Sequence, residues 1–378
     1  MSTPTQPKRR TFVRTALATL GAIAMSDSKA GLFDKMLETK APYPVKSSGL
    51  AFGRGFGNLE PVYWLDNERA MFAAFAPITV KEPNGQEKIS GTPLGIYIWD
   101  VKHNTYKRYA DLEKSAWILQ YDHGNIAYSL ESDPHGNVVA MIGKMGEEKR
   151  VTLKGGGGIL PELLPSRGPG LRFRHEEGGV STMFHDLLPQ HGYIHVGSGP
   201  AGSTINKNNQ NDHPKLHRPG STQPIELPIL AKEMSPCEFS YSEYLGKYVL
   251  LPGRSRRHVM GTATPDWGKD EAVPIYLISP DGKVETIEIP SGYWHPLAVF
   301  PTRQGILWVS NDTRTNSRDA GGWLLKDGKV TKLFDQLVDG AGVSPDGCTI
   351  VYANNDHNPK TTEYVQAIDL CGTQNKKQ

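Results

Sequence analysis

No stretch of eighteen apolar residues occurs anywhere in this 378-residue chain, so nothing in it spans a bilayer as a helix. Charge of one sign is missing too. With 42 Lys and Arg against 40 Asp and Glu, the formal net charge is +2 and no basic stripe stands out. That gives no electrostatic case for nucleic acid or an anionic lipid surface as partner. No apolar period of 3.6 residues persists over the length of a helix, which argues against an α or α/β fold. Cysteine is scarce, at three residues, a number that fits export into an oxidising compartment.

Turn formers and strand formers are abundant instead. Forty Gly, 28 Pro and 15 Tyr read as many short strands joined by turns. A hydrophobic fraction of 38% and a charged fraction of 22% suit a soluble chain with enough apolar material for a core. Length alone would divide the chain into two or three domains, but a closed all-β repeat holds one of this size as a single unit.

The first thirty residues read as an address. Lys8, Arg9 and Arg10 precede Thr11-Phe12-Val13-Arg14, and a mildly apolar run extends from Thr15 to Met25. This resembles the twin-arginine export signal, with Ser28-Lys29-Ala30 or Ala22-Ile23-Ala24 offering small residues for cleavage. Removing residues 1–30 takes away Lys8, Arg9, Arg10, Arg14 and Lys29 with Asp27, which leaves the formal net charge at −2. The expected division is a signal peptide over 1–30, a linker over 31–48, a repeat domain over 49–371 and a tail over 372–378. The expected location is periplasmic or secreted.

One unit recurs along that domain: a short apolar strand, a polar or Gly/Pro/Asp turn, and a second apolar strand. It appears at Pro61 to Phe75, Asn125 to Ile142, Val180 to Gly197, Ser235 to Leu251, Pro296 to Ser310 and Ala341 to Asn354. The spacing leaves room for four strands and a loop per unit. Second halves are visible at Ile96 to Tyr109, at Ile275 to Ile289 around Asp281-Gly282, and at Trp323 to Phe334 around Asp327-Gly328. The Asp-Gly pairs supply the positive φ that tight hairpins need. The expectation is an all-β, six-bladed β-propeller of four-stranded antiparallel blades, with seven blades as the alternative count and a β-sandwich as the rival fold. Gly49-Leu50-Ala51-Phe52 is the segment expected to complete the last blade, which removes exposed sheet edges. Cys348 opens one strand of that blade and Cys371 closes the next, so antiparallel pairing sets them opposite each other within disulfide range. Cys237 is then left as a buried free thiol.

Ser344-Pro345-Asp346-Gly347, followed by Thr349-Ile350-Val351-Tyr352-Ala353, resembles the blade motif of TolB-like and SMP-30/gluconolactonase-like six-bladed propellers. In the lactonases the resemblance implies a divalent metal on the axis, held by a Glu before the first inner strand, middle-blade asparagines and an Asp before Gly. Glu60-Pro61 resembles the first of these positions and Asp339-Gly340 the last. The middle positions depart, because Gly124-Asn125-Ile126 inverts the family's Asn-Gly-aliphatic order.

Read across the six units, the residues expected to start the innermost strands are Glu60, His123 with Asn125, Ser181, Ser235, His295 and Asp339. Glu60, His123, Asn125, His295 and Asp339 are therefore the channel and metal candidates. Oxygen-rich sets suit calcium or magnesium, and His with carboxylate suits zinc or manganese; the alternative is a polar, water-filled channel. Arg172 and Arg174, with Arg254 and Arg256, form a second candidate, an anion-binding face. Other patterns carry less. Gly197 to Gly202 satisfies G-x-G-x-x-G but no helix follows it. His191 and His195 share a strand face about 13 Å apart, too far for one ion, and read as scattered polar residues. The loops 154–179 and 198–220 are long enough to cap a channel mouth.

Two functions follow as expectations. One is an exported scaffold that binds a small ligand or a periplasmic protein. The other is a divalent-metal-dependent hydrolase of lactones or of phosphate or sulfate esters, with its site at the channel mouth. The export reading is tested by changing Arg9 and Arg10 together to Lys. The precursor should then stay in the cytoplasm; periplasmic protein in a strain lacking the twin-arginine translocase would contradict it.

Overall fold

A computed structural model describes residues 43–53, 60–81, 87–112, 119–132, 137–153, 173–177, 180–184, 190–195, 213–229, 237–252, 272–293, 296–310, 320–335, 337–355 and 364–372. Among them the regular structure is entirely strand, and no helix is long and apolar enough to cross a membrane.

Many strands come in groups of four in chain order, each antiparallel to the next. A separate hairpin, Pro77–Lys81 with Glu87–Gly91, interrupts the group nearest the start of the chain, and the described strands between 173 and 226 form a two-stranded and a three-stranded sheet. Leu119–Asp122, Asn125–Ser132, Val138–Lys144 and Lys149–Leu153 form one sheet. Cys237–Ser242, Lys247–Pro252, Val273–Ile278 and Val284–Ile289 form another, and Ala298–Thr302, Gly305–Ser310, Gly321–Lys326 and Lys329–Asp335 a third. Tyr63–Trp64, Arg69–Phe75, Gly95–Asp100 and Thr105–Asp111 repeat the order near the start of the chain. At the other end, Leu337–Val343, Thr349–Asn355 and Tyr364–Asp369 take their fourth strand from Val45–Phe52, through Val45↔Ile368, Lys46↔Ala367 and Ser47↔Gln366. That strand begins inside the segment assigned to a linker. Its far end also meets the first sheet, at Ala51↔Phe75 and Phe52↔Ala74. Glu60–Pro61 runs parallel beside Gly340 and Ala341. First and last sheets are thus joined by two separate pairings.

The sheets stack face to face in chain order. Successive side chains of a strand point to opposite faces, and here both faces of the central strands are buried. In Arg69–Phe75, Ala70, Phe72 and Ala74 join Leu50, Tyr97, Val351 and Val365 in a cluster shared with the last sheet. Met71 and Ala73 face the other way, onto Leu119, Ile126 and Tyr128 of the next sheet. Tyr248 and Leu250 pack with Ile194 and Leu216, whereas Val249 and Leu251 pack with Val299 and Trp308. Leu307 and Val309 meet Ile350 and Tyr352 of the last sheet. Two-sided burial explains why these strands read as unbroken apolar runs. Each large side chain so enclosed stabilises the fold by about 1.5–3 kcal/mol.

Two units differ from the sequence reading. His123 and Gly124 both have positive φ, 45° and 86°, and make a two-residue hairpin turn. Leu119–Asp122 therefore pairs across them with Asn125–Ser132, and Asn125 starts the second strand of its sheet instead of the first. In the third unit, Val180–Phe184 pairs backward with Phe173–Glu177, and Tyr193–His195 pairs forward with Lys215–His217. Val180–Phe184 thus takes the strand two residues before it as its partner, and Tyr193–His195 takes the strand that follows it in the chain.

Cys348 and Cys371 are disulfide-bonded, with Cα atoms 5.1 Å apart, beside the paired residues Thr349 and Asp369. Cys237 lies in a strand position opposite Pro252. Glycine permits the close approach of first and last sheets. A Cβ at Gly342 would overlap the Val62 carbonyl oxygen, and one at Gly340 would overlap the Phe52 ring.

Two stability measurements check this architecture. Gly342→Ala should cost about 1–3 kcal/mol in urea unfolding, because the obstacle is backbone that cannot swing aside; an unchanged midpoint would contradict the contact. Replacing both Cys348 and Cys371 by Ser should cost about 3 kcal/mol, the loop-closure entropy of their 23-residue separation.

Candidate functional site

Of the expected channel residues, Glu60 and Asp339 fall on strands that pair with each other, and His123 and Asn125 lie at a hairpin of another sheet. Glu60 lies opposite Gly340 in the parallel pairing. Asp339 is the extra residue of a bulge between Val338↔Asn354 and Gly340↔Ala353. These two therefore sit on neighbouring strands. His123 is elsewhere, in its hairpin turn, and Asn125 follows it in register with Asp122 and Lys144. Arg174 pairs with Met183 in the 173–184 hairpin. His295, Arg172, Arg254 and Arg256, like Ser235, lie outside the described residues.

Around His123 a compact polar constellation forms. Its Nδ1 is 2.7 Å from Asp122 Oδ1 and its Nε2 is 2.7 Å from Glu243 Oε1. The same Glu243 oxygen is 2.8 Å from His191 Nε2, and the two Nε2 atoms are 3.2 Å apart. Three residues separated by as many as 120 positions thus converge on one carboxylate oxygen. Asp122 is the buried anchor, only 7% exposed against 32% for His123, 20% for His191 and 36% for Glu243. Its second oxygen accepts the Gln190 N–H at 3.2 Å, so one carboxylate fixes both histidine-bearing turns. The Tyr241 ring stacks on His191 at 3.7 Å and 8°, and Tyr248 Oη donates to the His191 carbonyl.

The electrostatics follow from this geometry. Hydrogen bonds to Asp122 first, and then to Glu243, outweigh partial burial and raise the His123 pKa to about 9. Burial is the largest single influence on Glu243 and opposes its ionisation, but the bonds from His123 and His191 together prevail and hold it at about 2. At neutral pH the site is therefore an imidazolium against a carboxylate. Tyr248 is raised to about 12, chiefly by burial, and acts there as a hydrogen-bond donor.

The location is a product of the repeat. His123 lies in the turn between the first two strands of its sheet. Glu243 lies in the corresponding turn between Cys237–Ser242 and Lys247–Pro252, and His191 immediately precedes Tyr193–His195. The row of turns continues. The Arg303 guanidinium sits 5.6 Å over the Tyr244 ring, Arg303 Nε donates to the Asp346 carbonyl at 2.8 Å, and Asp346 N donates to Asn67 Oδ1 at 3.0 Å. Asp346 lies beyond the end of Leu337–Val343 and Asp339 near its start, so this row and the Glu60–Asp339 pair occupy opposite ends of that strand.

His191 and Glu243 were not recognised in the sequence. In the sequence His191 stands out only through its spacing from His195, which pairs with Lys215 in its strand. Comparing the turn after each first strand, instead of the residue before it, is the reading that selects His123 and Glu243 together. Chemically, two imidazole nitrogens and a carboxylate oxygen, all within 4.8 Å, form a donor set for a first-row divalent ion, or a charged, hydrogen-bonding anchor for a polar ligand.

No family model matches the chain, and no curated protein matches it. Among solved structures, TolB from Acinetobacter baumannii is similar over 82% of this chain, with 13% identity and a TM-score of 0.37, and the match spans 65% of the TolB chain.

Proposed function

We propose that this protein is an exported six-bladed β-propeller that binds a small ligand or a periplasmic protein at the end of its sheets bearing the inner-hairpin turns. The observation that carries the reading is the meeting of His123, His191 and Glu243. Partly exposed ion pairs contribute little to stability, so the constellation has no sufficient reason in folding alone. It is held by a buried carboxylate and a stacked ring, which is how a recognition site is pre-organised. Closure of the six units into a ring is supported by the apolar cluster between last and first sheets and by the two pairings that join them. The signal-like residues Arg9 and Arg10 support export.

A second reading, the metal-dependent hydrolase, draws on the same site. Two His and one carboxylate are the donors of many hydrolytic centres, where the ion polarises the electrophile and activates water. In that case the chemistry belongs to the row of turns and not to the Glu60–Asp339 end.

A thermal-shift panel of small carboxylates, lactones and phosphate and sulfate esters, run on the wild type and on folded His191→Ala, tests the binding reading. At least one class should raise the melting temperature of the wild type and fail to do so in the variant. If every stabilising compound acts equally on both, recognition lies elsewhere. Turnover of an ester or lactone that disappears in Glu243→Gln decides for the hydrolase.

A further inference from the structure

We infer that His123 Nε2, His191 Nε2 and Glu243 Oε1 form a three-ligand zinc site with its fourth position open to solvent. The inference takes its location from the reading above but stands on separate chemistry. Four-coordinate zinc binds imidazole nitrogen at about 2.0–2.1 Å and carboxylate oxygen at about 2.0–2.2 Å. Tetrahedral donors then lie roughly 3.3–3.5 Å apart. The three separations here are 3.2, 2.7 and 2.8 Å, so a slight opening of the triangle admits the ion without moving a strand. Calcium and magnesium ask for six or more oxygen donors, and this set supplies two nitrogens and one carboxylate.

The surroundings are those of a metal centre. Asp122 takes the Nδ1 of His123 at 2.7 Å, the carboxylate–histidine arrangement that orients a ligand and raises its basicity. Through Gln190 the same carboxylate also positions the turn of His191, and Tyr241 fixes that ring by stacking. The donor turns come from three units that follow one another in the chain, and all three donors are partly exposed to solvent. Three protein ligands with one free position mark a site that takes water or an exogenous donor, in contrast to a closed structural site.

The test uses the mature protein, stripped with chelator and titrated with Zn²⁺ alone. One zinc per chain should bind, and His191→Ala and Glu243→Gln should each weaken binding by more than about 100-fold. Asp122→Asn, which spares the donors, should weaken it by about 10–100-fold. Absence of stoichiometric binding, or binding indifferent to His191→Ala and Glu243→Gln, overturns the proposal. Should those variants fail to fold, X-ray absorption on the zinc-loaded wild type decides: two imidazoles in the shell support the site, and an all-oxygen shell refutes it. A chain that binds zinc but nothing in the ligand panel contradicts the recognition reading alone, and a chain that answers the panel without binding zinc contradicts only this one.

Discussion

The antiparallel pairing of Val45–Phe52 with Tyr364–Asp369 is the constraint on which the stack of sheets depends. Without it the last sheet would carry an exposed edge, and Phe72 would lose Phe52, and its cluster Leu50. The strand also spans the junction, with Val45 to Ser47 in the last sheet and Ala51 and Phe52 against the first. Gly340 and Gly342 let this happen by leaving room for Phe52 and Val62. The disulfide Cys348–Cys371 closes the two strands that Val45–Phe52 completes, so a covalent bond reinforces the sheet that fastens the chain's two ends.

Stacking in chain order has a chemical consequence. When sheets lie face to face, equivalent turns of consecutive units become neighbours, although Arg303 and Asp346, for example, are 43 residues apart in sequence. A cation–π contact and hydrogen bonds between side chain and backbone then link Tyr244, Arg303, Asp346 and Asn67. At one point in this row the turn residues are two imidazoles and a carboxylate. The rigidity of the site comes from the strands behind it: Asp122 is the last residue of a paired strand, and Tyr241 and Tyr248 face each other across a hairpin.

The fold was more legible than the site. Runs such as Ala70-Met71-Phe72-Ala73-Ala74 and Tyr248-Val249-Leu250-Leu251 state two-sided burial directly, and Asp327-Gly328 adopts the positive φ expected of it. The register within a unit was harder to see. His123 and Gly124 both adopt left-handed backbone and form a turn, where the sequence suggests the start of a strand. The partners of His123 lie 68 and 120 residues away. No local spacing reports such a contact, because it is set by which turns the stack aligns. For the same reason the pairing of Glu60 with the strand of Asp339 has no signature in local spacing.

The central claim, that the chemistry of this protein belongs to the turns at His123, His191 and Glu243, is tested most directly by anomalous diffraction from crystals of the zinc-treated protein, measured on either side of the zinc absorption edge. One dominant peak is expected within bonding distance of both Nε2 atoms and of Glu243 Oε1. A peak beside Glu60 and Asp339, with none among the three turns, would contradict it.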